Sequence, residues 1–250
     1  VMSDDLRSRF IKALSRPPLD LLERLDRAEE DTIWMMGTAL DRLETELVDA
    51  SVSFSTLHVC DPSSGDNQPE RDAAVRRYDG RCLERLGNFQ QGTFDVCIAC
   101  WMIGTIPVND TLSMLYRTLN QDGQIGLIAM KEGSPERPLQ LLRSSVREVT
   151  GEQVQFRSRG QLTDTGSFRS LIGSLGFGEE RVWNGDLRVS FRSPGEVYRI
   201  LRHSTGTNWE EQIGDGVDAV RRRFEEKLED TAGSTPEVTY AYLGATAHSL

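Results

Sequence analysis

A chain of 250 residues with a formal net charge of −10 is long enough for one well-buried α/β domain with some additions. Its acidity argues against nucleic acid or anionic lipid as a partner. No apolar run approaches the roughly 20 residues of a membrane span, and the charged start VMSDDLRSRF is unlike a signal peptide, so the expected location is the cytoplasm.

Leu6, Phe10, Ile11 and Leu14 recur at helical spacing over 3–14, and Pro17-Pro18 ends that helix before a second amphipathic stretch, LDLLERLDRAEE. TIWMMGTALDRLETEL, residues 32–47, reads as a strand that turns through Gly37 into a helix over Leu40–Leu47. Many α/β proteins hold a phosphate or carboxylate at such a turn. FSTLHVCD, residues 54–61, alternates as a strand and is broken by Pro62-Ser63-Ser64-Gly65. Residues 66–78 are polar and helix-compatible, so Arg76-Arg77, like Arg221-Arg222-Arg223, reads as a solvated helix face. The signal around GRCLERLGNF is weak.

TFDVCIACWMI, residues 93–103, is continuously apolar after Asp95 and reads as a central strand. Cys97 and Cys100 spell CxxC within it, but positions three apart on a strand face opposite ways, so the pair reads as small core residues rather than a redox or zinc site. A helix, NDTLSMLYRTL, starts at a capping Asn109 or Asp110, and NQDG ends it with Gly123 in a left-handed turn. QIGLIAM follows as a strand. Beyond Gly133 the pattern predicts helices over Leu139–Val149 and over DTGSFRSLIGSLGF to Gly176, then a strand or a hairpin around Asn184-Gly185, helix over 194–231 and a closing strand, EVTYAYLGATA. Strands alternating with helices of this length imply parallel βαβ units in an open sheet covered on both faces.

Three stretches in this order resemble the class I S-adenosylmethionine-dependent methyltransferases. IWMMGTALDRL matches the first motif, an apolar strand ending in an acid and then G-x-G-x-G; LHVCD is similar to the second strand, whose acid hydrogen-bonds the ribose; and GTFDVCIACWMIGTIPVNDTLSMLYRTLNQDGQIGLIAM looks like the fourth strand, fourth helix and fifth strand. SFRSLIGSLGF resembles the helix that ends in an aliphatic-Gly-Phe turn before the sixth strand, and RSPGEVYRILRHSTG followed by a closing strand is similar to the malonyl-carrier-protein and related small-molecule branches. The resemblance covers roughly residues 20–250. It implies a Rossmann-like seven-stranded, mostly parallel sheet with helices on both faces and an antiparallel last strand. N-terminal helices over 1–30 would precede a domain over 31–250, with helical additions at about 134–160 and 192–235 roofing a substrate pocket. S-adenosylmethionine would lie across the ends of the first strands.

Carried over by position, Met35 stands where the family has its acid, Gly37 at the first glycine, Ala39 at the second and Asp41 at the third. Ala39 costs contact distance. Asp41 puts a carboxylate beside the expected place of the cofactor's own, opposing binding by about 1–4 kcal/mol for a partly screened pair, unless it points to solvent from the first helical turn. Met35 offers nothing to the cofactor's ammonium. Asp61 keeps the ribose position, although it also suits a cap ahead of Pro62. Glu84 is the nearest candidate for the adenine, or else an exposed charge. Cys100 and Trp101 fall where the fourth strand opens on the ligands, and Trp101 suits either a pocket wall or the core.

The resemblance thus assigns Gly37, Thr38, Ala39, Asp61, Glu84, Cys100 and Trp101 to the cofactor, with no metal and no catalytic residue. His58, His203 and His248 are scattered, and methyl transfer from a sulfonium can proceed by positioning alone. The Asn-Pro-Pro-Tyr type of motif is replaced by ACWMIG, a further argument against a nucleic-acid substrate. Two functions are expected. One is a non-catalytic or partner-dependent subunit of a methyltransferase or biosynthetic assembly, in a homo- or hetero-oligomer; the other is an active methyltransferase on a small molecule.

Overall fold

The apolar stretches 32–37, 94–100 and 125–130 cannot be solvated on either face, and burial between flanking helices satisfies them. A computed structural model of the chain describes residues 4–25, 31–38, 40, 44–45, 47, 54–61, 74–79, 82–101, 108–153, 162, 164–205 and 208–250. Its strands are β1 (Thr32–Gly37), β2 (Thr56–Asp61), β3 (Val75–Asp79), β4 (Phe94–Cys100), β5 (Leu119–Met130), β6 (Phe177–Ser190) and β7 (Glu237–Ser249). They form one sheet in the order β3-β2-β1-β4-β5-β7-β6. The pairs from β3 to β5 are parallel and β7 runs antiparallel to β5. This is the Rossmann-like architecture expected from the sequence.

The described helices are α1 (Asp4–Leu14), α2 (Arg16–Leu22), α3 (Cys82–Gly87), α4 (Val108–Thr118), α5 (Glu136–Thr150), α6 (Thr165–Ser174), α7 (Pro194–Thr205), α8 (Asn208–Ile213) and α9 (Val217–Ala232). Glu44, Thr45 and Leu47 are helical as well, in the stretch predicted after β1.

The chain divides into two compact units. The sheet unit comprises Leu14–Lys131, Gly160–Gly185 and Tyr242–Leu250; the helical unit comprises Val1–Ala13, Glu132–Arg159 and Asp186–Ala241. In the sheet unit one face of the sheet presents Trp34, Met36, Cys60, Cys97, Leu127 and Leu243, packed with Leu86 of α3, Leu112 and Leu115 of α4 and Phe168 and Ile172 of α6. α2 packs on β5, where Leu21 lies over Gly126.

In the helical unit Val220, Phe224 and Leu228 of α9 are buried, and α9 packs on α5 and α7. Lys227 donates to Ser144 at 2.9 Å and to Glu148 at 2.5 Å. Glu196 accepts from Arg9 at 2.6 Å and from the Arg192 N–H at 2.8 Å. Burial opposes ionisation of that carboxyl, but these two donors outweigh it and hold it below its usual range.

Two local expectations are revised and two are refined. The first helix ends at Leu14, ahead of Pro17 and Pro18 as expected, but the two prolines also stand in the first turn of α2, where the missing N–H groups have no intrahelical partner to lose. Residues 75–79 of the polar, helix-compatible stretch form β3, because pairing with β2 outweighs local preference at an edge. At NQDG it is Asp122, not Gly123, that is left-handed, with φ 62°. Gly123 is required by closeness instead: a Cβ there would lie 2.9 Å from the Asn120 oxygen and 3.0 Å from Leu119. Asn184-Gly185 makes no hairpin but lies within continuous β6.

Candidate functional site

An open sheet of this order reverses between β1 and β4, and the crevice outside their carboxyl ends is where such folds take ligands. Gly37 ends β1 and is paired with Cys100, the end of β4. Its φ is 135°, and a Cβ on it would overlap the Cys100 carbonyl oxygen and lie 2.8 Å from the carbonyl carbon. The next N–H, of Thr38, donates to that same oxygen at 3.2 Å. Gly37 is thus demanded by the approach of β4, and the first amide beyond it is used within the sheet.

Met35 is fully buried, in register between Val59 of β2 and Ile98 of β4. Ala39 and Asp41 lie outside the described residues. Leu40 is buried, and its carbonyl accepts the Glu44 N–H at 2.8 Å. Glu44 is 5% exposed, and its carboxylate is bound by the Arg77 guanidinium of β3, one contact of 3.2 Å being made by Nε. A buried anion of this kind needs such a partner.

Asp61 occupies the last position of β2, opposite Asp79 of β3. The thiol of Cys82, at the start of α3, donates to the Cys60 carbonyl at 3.2 Å, which brings that helix to the end of β2. Glu84 follows in its first turn and is exposed. Cys100 is buried, and burial pushes its thiol well above its usual range, as it does for Cys97. Cys97 belongs to the apolar cluster on one face of the sheet and Cys100 does not.

Trp101 is half-buried and left-handed, with φ 62°. Its backbone N–H continues the ladder to the Ile128 carbonyl at 2.8 Å, and its indole N–H donates to the Leu14 carbonyl at 2.9 Å. Its ring meets Tyr242 edge-on, the centroids 5.9 Å apart. The structure therefore gathers Gly37, Thr38, Cys100 and Trp101 at two adjacent strand ends, with Asp61 ending the next strand and Glu84 on the helix beyond it.

Leu14 and Tyr242 were not foreseen from the sequence. Leu14 acts through a carbonyl, which no side chain announces. For Tyr242 a faint signal exists: Trp183-Asn184-Gly185 and Tyr242-Leu243-Gly244 each place an aromatic two residues before a glycine. The rings cross over, Tyr242 lying on Gly185 and Trp183 on Gly244, so each fills the space the opposite glycine leaves. The Arg24 guanidinium stacks over Trp183, 4.5 Å from the ring centroid.

Among the described residues no group of His, Cys, Asp and Glu could hold a metal ion, and no helix is long and apolar enough to cross a membrane.

No protein-family model matches the sequence, and a search of curated proteins by sequence gives no match. Solved structures do match. A geranyl diphosphate methyltransferase in complex with S-adenosylmethionine aligns with a TM-score of 0.52 at 15% identity, covering 94% of this chain and 85% of that one. The [4+2]-cyclase SpnF aligns with a TM-score of 0.53 at 14% identity, over 94% and 81%. A Haemonchus contortus phosphoethanolamine N-methyltransferase 2 aligns with a TM-score of 0.53 at 15% identity; the chain spans about half of that enzyme, 52%, and 94% of itself is covered. At such identities the likeness is one of fold, and the fold is that of the class I S-adenosylmethionine-dependent methyltransferases.

Proposed function

We propose that this chain is a methyltransferase-fold protein whose S-adenosylmethionine site is weakened, serving as a non-catalytic or partner-dependent subunit of a methyltransferase or biosynthetic assembly. The observation that carries this reading is the state of the β1 end. Met35 is sealed in the ladder where the family resemblance puts an acid, and the one retained glycine, Gly37, is accounted for by the Cys100 carbonyl. Thr38 spends its N–H on the same carbonyl. Asp41 adds a negative charge by sequence. The described residues at this end thus offer a zwitterionic ligand neither a counter-charge nor a backbone cradle of their own, so the fit is poor. Two such losses, at about 1.4 kcal/mol per tenfold, move a micromolar site toward millimolar.

The first prediction follows: calorimetric titration with S-adenosylmethionine, and with its demethylated product, gives no binding at up to millimolar ligand. Micromolar binding overturns the proposal. The second reading, an active enzyme on a small molecule, draws on Asp61 at the end of β2 and on the intact strand order. It requires micromolar binding in the same titration, sharply weakened in Asp61→Ala.

A further inference from the structure

We propose that Trp101 is a clasp that holds together the points at which the chain leaves the sheet unit. The chain passes between the two units at five places, and four of them are bounded by described residues: Ala13 to Leu14, Lys131 to Glu132, Gly185 to Asp186 and Ala241 to Tyr242. Trp101 reaches these through two kinds of contact. Its indole N–H binds the carbonyl of Leu14, the first residue of the sheet unit. Its ring meets Tyr242, the first residue of the last return, and Tyr242 in turn lies on Gly185, the last residue before another departure. Tyr242 also pairs with Met130 in the β5–β7 ladder, one residue short of Lys131.

These contacts converge on a residue that directly follows β4 and that the sheet holds by its own N–H on Ile128. The left-handed backbone, at φ 62°, is an uncommon state for a bulky side chain and persists only where the surroundings determine it. The indole hydrogen bond and the edge-on ring contact are two such determinants. They are also separable, because one needs the N–H and the other needs the ring. The inference does not depend on whether S-adenosylmethionine binds.

Hydrogen exchange on the full chain tests it. Trp101→Phe keeps a ring and loses the N–H, and should raise exchange about tenfold at residues 14–16 alone. Tyr242→Leu should raise it at 185–187 and 241–243 while leaving 14–16 protected. Trp101→Ala should release all three segments. Val96→Ala, a cavity in the same strand, serves as the control, since it lowers stability without touching the clasp. If Trp101→Phe and Tyr242→Leu loosen the same segments, or if Val96→Ala reproduces the pattern of Trp101→Ala, the clasp is refuted. Should Trp101→Ala fail to fold, the opposite patterns of Trp101→Phe and Tyr242→Leu still decide the matter.

Discussion

Gly37 shows how a residue that looks like a ligand-binding remnant can be kept by the fold alone. Its hydrogen-only side chain lets the Cys100 carbonyl close on β1, and its φ of 135° is closed to other residues. Gly37→Ala is therefore expected to cost about 3 kcal/mol or more, the sum of backbone strain and displaced β4, read as a lower urea midpoint whether or not S-adenosylmethionine is added. A wild-type midpoint in that variant would return the glycine to a ligand. Met35, Ala39 and Asp41 were legible as departures from the pattern of the resembling family, since they are read by identity. The sequence could not show why Gly37 remained, because the reason is an atom 63 residues away that becomes a neighbour only when β4 pairs with β1.

At the level of elements, β1, β2, β3 and β4 are joined on one face by rings. Trp34, His58, Tyr78, Phe89 and Phe94 lie within a few ångströms of one another, and His58 Nδ1 and the Tyr78 hydroxyl share a hydrogen bond of 2.8 Å. Burial, with repulsion from Arg76 second, lowers His58 to about 4. In the unfolded chain the imidazole takes its proton near pH 6.5, so the folded state gains from a neutral His58 above that pH. The gain is lost progressively as the pH falls from about 6.5 to about 4, and amounts to about 3 kcal/mol at most. Denaturant titrations of wild type and His58→Phe should diverge in pH dependence within that window, wild type losing more. Parallel curves would show that the ring cluster does not discriminate against the proton. The strand character of 54–61 was legible from alternation. β3 was not, because VRRYD has no apolar period of its own and is recruited by the edge of β2.

For the molecule as a whole, the four cysteines, Cys60, Cys82, Cys97 and Cys100, are buried and form no disulfide. They lie in β2, α3 and β4 of the sheet unit, and a thiol reacts only as an accessible thiolate. Ellman's reagent should find no reactive thiol in the native protein and four after denaturation, with a labelling rate that follows opening of the sheet. Fast reaction of any one in native buffer would contradict the burial derived for it. The sequence by itself determined the alternating βαβ layout, because periodicity is a local property, while the antiparallel close was an expectation of the family resemblance. Only the tertiary structure decided what Gly37 is for, that Gly185 and Gly244 receive the rings of Tyr242 and Trp183, and that Trp101 is tied to Leu14. Each of those depends on backbone atoms distant in the chain meeting at contact distance, and backbone atoms are the same in every residue.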